Sequence, residues 1–126
     1  MQTTWVKDYE ISIQEAPDYH WYSYDSKNYD KVFHLTSAED FTRTILLTIK
    51  RAHQEKKVVL VVPYYTIVDH CALPAGNRLF LMLNDLLCLF NLESLDIDKQ
   101  QKLDTIGTMF ASYPYKQDFI LYGELD

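Results

Sequence analysis

The chain has 126 residues, 48% of them hydrophobic and 24% charged, with three glycines and four prolines. That is the composition of one globular domain, 1–126, and it excludes extended disorder. The net charge of −6 and the pI near 5.1 argue against direct nucleic-acid binding, which needs clustered Lys and Arg.

From Trp5 to Ile13 the pattern alternates, with Trp5, Tyr9, Ile11 and Ile13 on one face and Asp8, Glu10 and Ser12 on the other. Period two predicts a half-buried strand. Pro17-Asp18 signals a turn, and His20 to Tyr24 reads as a second, aromatic strand. After the polar stretch 25–30, Lys31 to Leu35 reads as a third strand, completing an antiparallel meander.

Ser37, with Asp40 three residues on, predicts the start of a helix. Its apolar stripe is Phe41, Ile45, Ile49 and Ala52, and Lys50, Arg51, Lys56 and Lys57 suit the negative end of its dipole. Val58 to Val62, stopped by Pro63, predicts a central strand covered on both faces. Pro74 to Asn77 marks a loop. Arg78 to Phe90 is apolar nearly all round and predicts a buried helix, or one carrying an oligomer interface. Asp98 caps a third expected helix, with Leu103, Ile106 and Phe110 as its stripe and Tyr113-Pro114 as its end. Phe119 to Tyr122 is the last strand. The order βββαβααβ predicts an α+β fold: a mixed, mainly antiparallel sheet of about five strands packed against about three helices.

No motif demands a chemistry. Walker-type, dinucleotide-binding and nucleophile-elbow patterns are missing, and the four histidines have no metal-ligand spacing. No catalytic residue, cofactor or metal is therefore expected. Cys71 and Cys88 read as reduced, buried thiols. Without an apolar leader or a bilayer-length run, the chain reads as cytoplasmic, with no membrane partner.

Two regions stand out as candidate sites. Residues 1–30 hold five of the ten tyrosines and both tryptophans, interleaved with acids. Alternation can bury only about half of these aromatics. The rest suit a partner face made of Asp18, Tyr19, Trp21, Tyr22, Tyr24, Asp25, Tyr29 and Asp30, with aromatics as anchors and carboxylates steering a basic protein. The alternative is a small-molecule or catalytic site at Tyr64, Tyr65, Asp69 and His70, extending to Cys71, past the carboxyl end of the central strand.

The expected function is a small inhibitor of a basic protein, such as a nuclease-like toxin domain. Short, acidic, aromatic-rich chains without catalytic motifs share the profile of bacterial immunity proteins and phage-encoded inhibitors, an analogy of profile and not of motif. A structural, homo-oligomerising role for residues 78–90 is the third reading, and the sequence leaves oligomeric state open.

Overall fold

A computed structural model describes residues 2–15, 29–36, 42–66, 71–105, 107–116 and 118–125. Those residues form eleven strands and no helix. The α+β expectation is therefore overturned, and the described parts of the segments expected to be helical are strands and the turns between them.

The five-stranded sheet has the order β1-β2-β4-β5-β3. It comprises β1 (Gln2–Val6), β2 (Tyr9–Glu15), β3 (Lys31–His34), β4 (Thr42–Arg51) and β5 (Gln54–Pro63). β3 pairs parallel to β5, and the middle strand of the expected meander, His20 to Tyr24, lies outside the described residues. The expected strand from Trp5 to Ile13 is two strands separated by a turn at Lys7-Asp8, with Lys7 at φ 53°. The turn shifts the parity. Val6 is buried and Trp5 is 60% exposed, opposite Glu10.

Ser37, Asp40 and Phe41 of the first expected helix lie outside the described residues, and from Thr42 onward the segment is the β4–β5 hairpin, turning at Ala52-His53. Ile45 and Ile49 lie four apart, a spacing that a helix stripe and a strand face both contain. Leu47 between them decides the matter: all three are 2% exposed or less. Thr42, Thr44 and Thr48 add β-branched residues that favour the pleat. The basic cluster around Lys50 to Lys57 sits at a hairpin tip and not at a helix end.

The four-stranded sheet has the order β6-β7-β8-β9. It contains β6 (Ala72–Ala75), β7 (Arg78–Leu83), β8 (Leu86–Asn91) and β9 (Ile97–Lys102). The second expected helix is the β7–β8 hairpin. Asn84 turns it at φ 65°, a left-handed conformation that Asn tolerates. The third expected helix is β9 followed by β10 (Gly107–Tyr115), which pairs with β11 (Asp118–Leu125) as a two-stranded ribbon.

Three layers result. Leu79, Leu81, Leu83, Cys88 and Phe90 pack with Ile11, Ile13, Ile45, Leu47, Val58 and Leu60 between the two larger sheets. On its other face the four-stranded sheet presents Phe80, Met82 and Leu89 to Met109 and Leu121 of the ribbon. This explains why residues 79–90 are apolar almost without interruption. The sheet they form is covered on both sides, so alternation disappears. The apolar segment is thus used inside the chain. Ion pairs stitch the margins: Lys31 to Asp96 at 2.6 Å, Arg51 to Asp8 at 2.9 Å and Arg78 to Asp98 at 3.6 Å. The first two pairs are exposed, and such pairs contribute little stability. Among the described residues no helix is long and apolar enough to cross a membrane.

Candidate binding surfaces

Of the expected partner face, Asp18, Tyr19, Trp21, Tyr22, Tyr24 and Asp25 lie outside the described residues. Tyr29 is half-buried. Asp30 is exposed, but its carboxylate accepts the Lys57 backbone N–H at 2.8 Å. Its own N–H donates to the Lys57 carbonyl at 2.9 Å. Asp30 therefore joins the start of β3 to β5 and is not a free steering charge.

Of the alternative site, Asp69 and His70 lie outside the described residues. Tyr64 and Tyr65 do follow the carboxyl end of β5 and are 63% and 67% exposed. Arg43 organises this corner. Its guanidinium lies 5.7 Å from the Tyr64 ring centroid, donates to the Thr66 carbonyl and pairs with Glu15 at 2.5 Å. Thr66 is fully buried, and its Oγ1 has no hydrogen-bond partner among the described residues. Cys71 is buried in the main core.

Cys88 is also enclosed there, and burial pushes its thiol up to about 12. A thiol held protonated is a poor nucleophile. The native protein should leave Cys88 unmodified by a thiol reagent at about pH 8 and expose it to labelling on unfolding. Rapid native labelling at Cys88 would contradict the buried placement. The folded pKa lies above the ordinary value of 9.0, so on raising the pH the unfolded chain releases this proton first. Its stabilising contribution is complete below about pH 9 and declines between there and about 12.

The ribbon has an exposed face of its own, outside both regions that stand out in the sequence. Tyr113 is 59% exposed, Tyr115 52% and Ile120 49%, and the register places Tyr113 directly opposite Ile120. Tyr113 and Tyr115, two apart on β10, share that outward face. The Lys116 ammonium lies 5.2 Å from the Tyr115 ring centroid. The alternation Tyr113-x-Tyr115 was the available signal, obscured by reading Tyr113-Pro114 as a helix end.

Two clefts flank these layers. One, of about 480 Å³, is floored by Phe80, Leu87 and Leu89, walled by Leu121 and rimmed by Lys99, Gln100 and Gln101. The other, of about 240 Å³, lies at the hairpin tips between Tyr9, Arg51, Lys56 and Glu93. Arg51 is already engaged there. Its Nε donates to Asp8 at 2.9 Å, its Nη1 to the Tyr9 hydroxyl at 2.9 Å, and its charge lies 4.9 Å from that ring. The Asp8 hydrogen bond, then that of Tyr9, raises the guanidinium pKa above its ordinary value. Among the described residues no group of three His, Cys, Asp or Glu side chains could hold a metal ion.

No family model, curated protein or solved structure matches the chain.

Proposed function

We propose that this chain is a protein-binding module, and that its partner docks on the outer face of the β10–β11 ribbon. The observation that carries this reading is the solvent exposure of Tyr113, Tyr115 and Ile120 together on one face. Tyrosines offer large contact area at low entropic cost and are enriched among residues that dominate binding energy. The net charge of −6 favours a basic partner, which long-range attraction would bring in quickly. In its particular form the reading is an immunity-type inhibitor that binds and neutralises a basic, nuclease-like toxin domain.

That form requires a basic domain encoded beside this chain, and a neighbouring gene without one overturns it. Against that purified domain, titration calorimetry should show the Tyr113→Ala/Tyr115→Ala variant binding at least about tenfold more weakly, with an unchanged melting temperature. Unchanged affinity would remove the ribbon face from the interface. Association should also slow as salt is raised, because steering by exposed charges is screened.

A further inference from the structure

We infer that Trp5 and Glu10, on the outer face of the five-stranded sheet, form a docking point for an arginine side chain of a partner protein. The ribbon face belongs to a different layer, so this inference goes beyond the proposed function and does not depend on it.

Strand parity sets the face. β1 turns Val6 into the core and Trp5 outward, and Trp5 is 60% exposed. A single exposed apolar side chain is ordinary on a protein surface. What distinguishes Trp5 is its neighbour. Tyr9 and Ile11 face the core from β2, so Glu10 between them faces outward, directly opposite Trp5 in the register. Opposite residues on one face stand about 4.5–5.5 Å apart at Cβ. Glu10 is half-buried. Among the described residues its carboxylate enters no ion pair or hydrogen bond. It has lost part of its hydration without a compensating contact.

The chain shows twice what an aromatic ring beside a carboxylate can hold. Arg43 lies 5.7 Å from the Tyr64 ring centroid and pairs with Glu15 at 2.5 Å. Arg51 lies 4.9 Å from the Tyr9 ring centroid and pairs with Asp8 at 2.9 Å. A planar guanidinium suits both contacts, because it stacks on a ring face and forks toward a carboxylate. Trp5 and Glu10 supply the same two parts, and Trp is the strongest ring for a cation. The chain has no arginine left to complete the set. Its remaining arginine, Arg78, pairs with Asp98 at 3.6 Å on the other sheet. Two lysines flank the pair, Lys50 opposite Glu10 on β4 and Lys7 in the β1–β2 turn. Among the described residues neither forms an ion pair or a ring contact. Lys50 stands two strands from Trp5, about 10 Å away. The open side of Glu10 is therefore the one toward Trp5 and the sheet edge. A partner's arginine would enter there, and the net charge of −6 would attract the basic surface carrying it.

The test titrates the full chain with acetyl-tetraarginine amide and follows the Trp5 indole N–H and the Glu10 backbone amide by NMR. Both signals should move and saturate. Acetyl-tetralysine amide should bind at least about threefold more weakly, because an ammonium cannot stack and fork at once. Glu10→Gln and Trp5→Leu should each weaken the arginine peptide about threefold, with an unchanged melting temperature. Trp5→Phe should recover part of the loss seen with Trp5→Leu. Shifts spread over the acidic surface, with Trp5 and Glu10 silent, would overturn the inference. Equal binding of the two peptides would also overturn it, by reducing the face to charge alone. So would undiminished binding by the folded Glu10→Gln protein, whatever Trp5→Leu does to stability. The Tyr113→Ala/Tyr115→Ala variant should bind the peptide as the unaltered chain does, so failure here and failure of the ribbon reading are separate results.

Discussion

Replacing Leu81 with alanine and, separately, its neighbour Met82 with alanine should each cost about 2–5 kcal/mol in urea denaturation. In a strand with one wet face, only one of two adjacent positions would be costly. Here Leu81 is 1% exposed in the core shared with the five-stranded sheet, and Met82 is 8% exposed against the ribbon layer. Each truncation leaves a void that close-packed neighbours fill only in part. On β9, Lys99→Ala and Gln100→Ala should stay within about 0.5 kcal/mol, since both side chains are exposed. If Met82→Ala is as mild as these, the ribbon does not cover the sheet and the three-layer arrangement fails.

Phe90→Ala should be costlier still, at about 3–5 kcal/mol. Phe90 is fully buried on β8 and meets Phe33 of β3 edge to face, with centroids 6.4 Å apart and planes at 86°. The contact joins the two larger sheets, so the loss combines burial, a cavity and an aromatic pair. A double-mutant cycle with Phe33→Ala should return a coupling of about 0.5–1.5 kcal/mol. Additive losses would show that the rings do not touch in solution.

These two experiments bear on the part of the fold that sequence reading misjudged most. Leu79 to Phe90 offers no period, and an apolar run cannot by itself separate a buried helix from strands covered on both faces. Length favoured a helix, but Asn84-Asp85 in the middle of the run is a turn pair. At β4 the ambiguity is different: Ile45 and Ile49 fit both periods, and the lysines near residue 57 imitate dipole complementation. Elsewhere local pattern was enough. Tyr9, Ile11 and Ile13 do share the core face of β2, Val58 to Val62 does lie within β5, and Phe119 to Tyr122 does lie within β11.

The candidate sites divide in the same way. Tyr64 and Tyr65 could be placed past a strand end because Pro63 closes that strand in any fold. Tyr113, Tyr115 and Ile120 could not be found, because their exposure depends on which face of the ribbon the four-stranded sheet covers. The groove at Phe80, Leu87 and Leu89 was equally hidden, since its floor and the Leu121 wall come from strands far apart in the chain.

By itself the sequence determined the charge, the absence of recognisable catalytic spacing and the strands whose two faces differ in polarity. Only tertiary structure decided the all-β architecture, the layer order and the surfaces left open. The physical reason is that periodicity records a difference between two faces. Where both faces are buried the difference vanishes, and the fate of the segment is settled by what packs against it.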